Sequence, residues 1–240
     1  MTAGVPETAE AGLDRYRYVF VVTYGRSGST LLQSVLNATP GTQIRGENRN
    51  ILYNLYRSIS RASSGRVRDP APRSPDHPWY GFNEVQAAPF EAALLNAFVR
   101  DILVPDPFAR VIGFKEIRYT SQSILMEDFA PYMDFLLSRF PQARIVFNSR
   151  RSEDVIVSSM MAMEKPHLTR RVLKEADQRF AGYDRTSDRT IHMQYEDYVA
   201  DHRLFHRMLA FLELDWSEQA VAAVMDKRLT HPSRHGGAED

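Results

Sequence analysis

The hydrophobic pattern of the chain alternates between short apolar runs and longer stretches with helical spacing. Continuous runs rich in β-branched and aromatic residues predict buried parallel strands, and these lie at 18–24, 43–45, 111–115, 143–148 and 190–194. Apolar positions three or four residues apart predict helices, over 31–36, 50–59, 84–102, 124–140, 168–180, 203–213 and 217–226. Strands that alternate with helices indicate an α/β domain, with a central, mainly parallel sheet flanked by helices.

Proline, glycine and capping residues set several of the predicted boundaries. Pro40 and Gly41 end the first helix, and Pro131 marks where the helix over 124–140 would be interrupted. Ser152 is a candidate N-cap for a further helix, because Glu153 and Asp154 follow it where a first turn favours acidic side chains.

The polar composition of both ends predicts one domain with flexible termini. We expect flexible segments at 1–15 and 231–240 and a single domain over 16–230. A segment near 62–83, rich in Pro, Ser and Arg, is predicted to be a loop or an insertion. It contains Trp79 and Tyr80, which are costly to leave exposed.

Composition excludes several classes of protein. The 240 residues carry 30 Lys and Arg against 30 Asp and Glu, and this neutrality argues against a general nucleic-acid binder. The chain has no cysteine, which rules out disulfides and thiolate metal sites, and its 7 histidines show no spacing typical of metal ligands. No apolar run approaches the roughly 20 residues that span a bilayer. We therefore expect a cytoplasmic protein with no membrane span and no metal.

A glycine loop follows the first predicted strand. It runs from Gly25 through Arg26, Ser27, Gly28 and Ser29 to Thr30 and leads into a helix. Glycines let the backbone approach a ligand, and the free N–H groups and dipole of a helix N-terminus favour an anion. A plain strand-to-helix turn is the alternative interpretation.

The loop is not a Walker A motif. That motif requires G-x-x-x-x-G-K-[ST], but Thr23 stands at the position of its first glycine and Ser29 at that of its lysine. Arg26 supplies the positive charge of the loop instead. The missing lysine counts against a P-loop kinase, which nevertheless stays open as the alternative function.

A second basic site follows the strand at 143–148. Arg150 and Arg151 leave this strand, and Ser158 and Ser159 lie almost two turns along the next helix. Paired arginines are common on protein surfaces, so this segment alone indicates little. Together with the glycine loop, however, it predicts two anion sites at the ends of parallel strands, which suit a ligand with two separated phosphate groups.

These two segments together resemble the PAPS-dependent sulfotransferase family, in which PAPS is 3′-phosphoadenosine 5′-phosphosulfate. The family's first signature is a strand followed by a loop like 25–30, and its second is an Arg followed eight residues later by a Ser. The resemblance implies that Arg26, Ser27, Gly28, Ser29 and Thr30 bind the 5′-phosphosulfate. Arg150 and Ser158 are then expected at the 3′-phosphate, a better match than Arg151 with Ser159.

Further segments extend the resemblance over about residues 18–214. Residues 41–49 resemble the tyrosylprotein sulfotransferases, which implies that Glu47 is the catalytic base. Residues 111–116 resemble the strand that ends in a catalytic lysine, which implies that Lys115 and Arg26 stabilise the leaving group. In the cytosolic branch a His base stands two residues after this lysine, but here that position is Ile117; Glu116 is the rival base. Residues 192–198 and 211–214 resemble a third family region.

The resemblance implies a single P-loop-like α/β domain related to nucleotide kinases. It also implies sulfuryl transfer from PAPS to a hydroxyl, with release of PAP and no metal. The acceptor is not readable, so carbohydrate, lipid, natural-product and peptide acceptors all stay open. A non-catalytic nucleotide-binding protein is disfavoured because both Glu47 and Lys115 are present.

Overall fold

The strands of the structure form one sheet. The computed structural model describes residues 12–64, 74–159 and 166–230. Within these residues the sheet is parallel throughout, with the order β2-β3-β1-β4-β5. The strands are β1 Arg17–Val22, β2 Thr42–Arg45, β3 Val111–Glu116, β4 Arg144–Ser149 and β5 Thr190–Gln194.

Helices cover both faces of this sheet. Those of the described residues are α1 Ser29–Asn37, α2 Ile51–Ser64, α3 Ala87–Ala97, α4 Phe129–Arg139, α5 Ser152–Ser159, α6 Pro166–Asp184, α7 Tyr195–Ala200, α8 Arg203–Phe211 and α9 Glu218–Thr230. Short 3-10 turns lie at Leu13–Arg15 and Phe82–Glu84, and a π-helix at Phe98–Leu103 continues α3. The predicted α/β class is confirmed. No helix in the described part of the chain is long and apolar enough to cross a bilayer.

Alternate residues of the strands supply two separate cores. Tyr18, Phe20 and Val22 of β1 pack in the core that lies under α2, α3, α4 and α6. Val19 and Val21 of the same strand pack in the opposite core, under α1, α8 and α9. The period of two along a strand accounts for this division. A sheet buried on both faces requires strands that are apolar at nearly every position, as the sequence pattern indicated.

Several predicted boundaries differ from the observed ones. Strand β1 ends at Val22 rather than Tyr24, which instead forms an isolated bridge with Arg118. Helix α4 begins only at Phe129, and Pro131 does not interrupt it. Pro131 lies in the first turn, where a backbone N–H has no partner within the helix and its absence costs little.

Other differences lie at short or irregular elements. Ser152 is the first residue of α5 rather than its cap, and its hydroxyl donates to Glu153. The helix predicted over 84–102 begins at Ala87 and ends as the π-helix. The sequence pattern also missed α7, which follows β5 without a loop.

The structure describes only parts of the segments predicted to be flexible ends and a loop at 62–83. Residues 1–11, 65–73 and 231–240 lie outside the described residues. Residues 62–64 extend α2, so this part is helix rather than loop. Trp79 and Tyr80 are 53% and 54% exposed, and the Trp79 ring meets Phe82 edge-on at 5.5 Å.

Candidate active site

The parallel register brings the predicted site residues to one edge of the sheet. Val21 of β1 pairs with Lys115 of β3, and Val22 pairs with Phe147 of β4. The segments that follow β1, β2, β3 and β4 therefore leave the sheet at its carboxyl edge, where α/β folds bind their ligands. They contain the glycine loop, Glu47 and Arg150, and Lys115 lies in β3 one residue before its end at this same edge.

The glycine loop has a conformation suited to binding an anion. Arg26 and Gly28 have positive φ values of 63° and 78°, and α1 begins directly after Gly28. The side chains of Arg26 and Thr30 are exposed, whereas Ser29 is buried. Because the first N–H groups of a helix lack acceptors within it, the start of α1 presents donors and a positive dipole at this edge.

The hydroxyl of Ser27 points into the protein. It lies 2.7 Å from the hydroxyl of Thr23, which is also 2.7 Å from the carbonyl oxygen of Asn148. The Asn148 amide donates to the carbonyl of Ser27 at 3.1 Å, and Tyr198 donates to the Asn148 side-chain oxygen at 3.0 Å. These buried hydrogen bonds hold the loop against β4 and Tyr198, so Ser27 supports the loop through both its hydroxyl and its carbonyl.

Tyr195 packs directly against the glycine loop. A Cβ atom placed on Gly28 would come within less than 3.0 Å of the Tyr195 ring, closer than real Cβ atoms approach any neighbour. Gly28 is therefore required both by its backbone angle and by this ring. Tyr195 is a site residue that the sequence did not predict, although it lies within the 192–198 segment that resembles the family.

Arg150 joins the second basic site to the glycine loop. Its Nη1 donates to the carbonyl of Arg26 at 3.1 Å, and its guanidinium lies 4.5 Å from the centre of the Tyr195 ring. Its Nε is buried without a hydrogen-bond partner and lies 3.9 Å from a carboxylate oxygen of Glu196. A buried guanidinium N–H without an acceptor leaves donor capacity for an anionic ligand.

The other members of the second basic site differ in their surroundings. Ser158 lies on α5 and donates to the carbonyl of Val155 at 2.9 Å. Arg151 is largely exposed and pairs with Asp154 at 3.1 Å and with Glu196 at 3.6 Å. The charge of Arg151 is thus balanced by two carboxylates, which favours Arg150 as the residue that binds an anion.

Glu47 and Lys115 form an ion pair at the edge of the sheet. The Nζ atom of Lys115 lies 2.9 Å from Oε1 of Glu47, and Arg118 lies 3.8 Å from Oε2. The Lys115 side chain is only 7% exposed, whereas Glu47 is 37% exposed. A buried amine and a reachable carboxylate therefore lie side by side, and the carboxylate is accessible to a substrate.

Glu116 has a different role from Glu47. It is fully buried, and its Oε2 accepts hydrogen bonds from the backbone N–H groups of Asn48 and Asn50, both at 3.0 Å. Its Oε1 accepts from the backbone N–H groups of Ile117 and Arg118 and from the Arg118 guanidinium at 3.0 Å. With five donors on two oxygens, this carboxylate is saturated and holds the two loops together. It is poorly placed to take a proton from a substrate.

A cavity of about 680 Å³ opens beside the glycine loop. Gly28, Thr30 and Leu31 line one side, and Tyr195 and Lys227 line another. Its volume falls within the range of sites for small molecules. Within the described ranges, no cluster of three or more His, Asp or Glu side chains could hold a metal ion.

Comparisons with known proteins identify related folds. A model of the sulfotransferase family matches residues 18–218. The sulfotransferase domain from the curacin biosynthetic pathway is 14% identical with a TM-score of 0.51, covering 85% of this chain and 76% of that one. A sulfotransferase from Alicyclobacillus acidocaldarius is 13% identical with a TM-score of 0.51, covering 88% and 90% of the two chains. At such identities these structures show similarity of fold alone. A search of curated proteins gave no match.

Proposed function

Because this chain belongs to the sulfotransferase family, we propose that it transfers the sulfuryl group of PAPS to a hydroxyl of its acceptor and releases PAP. The PAPS-dependent enzyme expected from the sequence is confirmed at the level of the family. The observation that carries the residue-level proposal is the contact between Lys115 and Glu47 at the end of the strand beside β1.

The residues present fit a nucleotide with two phosphate groups. Gly28 gives the loop its left-handed turn directly before the N-terminus of α1, and the buried Nε of Arg150 has no hydrogen-bond partner. Arg26 and the N–H groups that begin α1 would hold the 5′-phosphosulfate, together with the hydroxyls of Ser29 and Thr30. Arg150 and Ser158 would hold the 3′-phosphate.

The cavity beside the glycine loop is the proposed site for the nucleoside. It touches Gly28 and Thr30 of the loop and also Tyr195, against which Arg150 packs. A ligand in this cavity would therefore lie next to both proposed phosphate sites. Its partly aromatic and apolar lining is typical of sites that take a base and a sugar.

The proposed chemistry is an in-line transfer between two oxygens. PAPS supplies an activated sulfuryl group, whose sulfur–oxygen bond to the 5′-phosphate breaks as the acceptor oxygen bonds to sulfur. Glu47 accepts the proton of the acceptor hydroxyl. Lys115 and Arg26 provide positive charge where negative charge grows on the departing phosphate, so catalysis depends mainly on position and electrostatics.

Arg118 and Glu116 hold the segment that carries Glu47. Arg118 contacts the carboxylates of both Glu47 and Glu116, and Glu116 binds the backbone of the segment that carries Glu47. Arg118 also accepts, through its carbonyl, a hydrogen bond from Asn50 at 2.8 Å. These contacts restrict the position of the proposed base relative to Lys115.

A single substitution tests the proposed base. Glu47→Gln keeps the size of the side chain but cannot take a proton, so we expect turnover to fall about 10²- to 10⁴-fold while PAP affinity stays near wild type. Single-turnover assays with PAPS and a panel of sugar, lipid, natural-product and peptide hydroxyls measure the first quantity, and calorimetric titration with PAP measures the second.

Glu213→Gln is a matched control for this experiment. Glu213 also lies between two cations, Arg17 and Arg144, but at the opposite end of β1. We expect its substitution to leave turnover unchanged. Normal turnover in Glu47→Gln would contradict the assignment of the base, and Lys115→Ala should reduce both turnover and nucleotide affinity.

A further inference from the structure

Tyr24 connects the two proposed phosphate sites. It lies between β1 and the glycine loop, and its side chain is 1% exposed. Its hydroxyl accepts a hydrogen bond from the backbone N–H of Arg150 at 2.9 Å. The same hydroxyl lies 2.9 Å from the carbonyl oxygen of Arg150 and 2.9 Å from Oδ1 of Asp177, and its single proton can serve either acceptor.

Arg150 needs this contact because it lies beyond the sheet. Strand β4 ends at Ser149, which is the last residue paired with β5. The backbone groups of Arg150 therefore have no strand partner, although buried backbone groups require one. The Tyr24 hydroxyl accepts from the Arg150 N–H and shares its one proton between the Arg150 carbonyl and Asp177, so one side chain anchors the backbone from which the Arg150 guanidinium extends.

Asp177 of α6 holds both Tyr24 and the residue before Arg150. Its Oδ1 accepts a hydrogen bond from Ser149 at 2.6 Å as well as the contact from Tyr24. The Ser149 hydroxyl lies 2.8 Å from Nε2 of His192. The Tyr24 ring stacks on Phe180 of α6 with a centroid distance of 6.2 Å and an angle of 13°. Burial raises the pKa of Asp177 and lowers the pKa of His192.

We propose that Tyr24 and Asp177 are positioning residues for the 3′-phosphate, which act by holding Arg150 at a fixed place relative to the glycine loop. The inference rests on the proposed function, because it concerns the site that would take the 3′-phosphate. Tyr24 immediately precedes Gly25, so one residue both leads into the 5′ site and holds the 3′ site. The enzyme thereby distinguishes PAP from nucleotides with only a 5′-phosphate.

The test is the ratio of two affinities in Tyr24→Phe. We expect the affinity for PAP to fall about threefold to tenfold, as for loss of one hydrogen bond, while the affinity for AMP changes less than about twofold. Calorimetric titrations with PAP and AMP give both values. Asp177→Asn keeps the size of the side chain but is a weaker acceptor, so it should change the ratio in the same direction by a smaller amount.

Tyr18→Phe is the matched control. Tyr18 is likewise a buried tyrosine and lies within β1, but its hydroxyl donates to the carbonyl of Leu13 at 3.0 Å, away from the site. We expect this variant to keep the wild-type ratio even if it is less stable. The inference would be overturned if Tyr24→Phe and Asp177→Asn lost affinity equally for PAP and AMP. It would also be overturned if neither variant lost affinity for PAP. A wild-type protein without preference for PAP would instead refute the proposed function itself.

Discussion

Gly28→Ala tests the contact between the glycine loop and Tyr195. The new Cβ would enter the Tyr195 ring, and the φ of 78° is unfavourable for alanine. The left-handed backbone costs about 1 to 2 kcal/mol, and overpacking adds about 1 to 3 kcal/mol. We therefore expect a loss of about 2 to 5 kcal/mol in the free energy of unfolding. Displacement of Tyr195 would also remove the ring on which Arg150 packs, so PAP affinity should fall.

Gly81→Ala separates the cost of the left-handed backbone from the cost of overpacking. Gly81 has nearly the same φ, 77°, but a Cβ placed there meets nothing within 4 Å. This variant should lose only the backbone term of about 1 to 2 kcal/mol and should bind PAP normally. Urea unfolding and calorimetry on both variants give the comparison. If Gly28→Ala loses no more unfolding free energy and no more PAP affinity than Gly81→Ala, the packing of Tyr195 against the loop contributes to neither property.

Three further predictions concern the second anion site, the buried carboxylate and a partly buried histidine. Arg150→Ala and Ser158→Ala should each weaken PAP binding by about 1.5 to 3 kcal/mol in titrations while leaving adenosine 5′-phosphosulfate nearly unaffected; equal losses would contradict a 3′-phosphate site. Glu116→Gln should lower the unfolding free energy by about 2 to 3 kcal/mol in urea, because its amide end would face N–H donors. The loss in Glu47→Gln should be smaller, because that carboxylate is 37% exposed. The lowered pKa of His192 means that the unfolded chain binds a proton that the folded chain does not. Stability should therefore fall as pH drops below about 6.5, and His192→Gln should reduce that slope.

The sequence predicted the strands well because burial on both faces of the sheet gives each strand a continuous apolar run. A strand buried on both faces needs a non-polar centre. Residues 19–22 of β1, 111–114 of β3 and 145–147 of β4 supply it, and the charged and amide side chains of these strands lie at their ends. The end of β1 was placed two residues too late because Tyr24 is apolar enough to extend the pattern but is used for a hydrogen bond to Arg150. Helix α7 has only six residues and two acidic side chains in its first turn, so it shows too little periodicity to predict.

The proposed site was predictable only where it depends on local sequence. The glycine loop and the Arg150–Ser158 spacing are continuous motifs, and the resemblance to a family selected Glu47 and Lys115. Tyr24 and Asp177 are 153 positions apart, so the contact between them follows from the packing of α6 on the sheet and not from any spacing along the chain.

The proposed function requires that the protein bind a nucleotide with both a 5′- and a 3′-phosphate and use it for sulfuryl transfer. Calorimetric titration of the wild-type protein with PAP, and separately with ATP and Mg²⁺, tests this requirement. We predict that PAP binds much more tightly than ATP, and that PAP at 100 times its Kd adds about 2.7 kcal/mol to the free energy of unfolding. Tight binding of ATP with Mg²⁺ and no binding of PAP would contradict the account and favour a kinase.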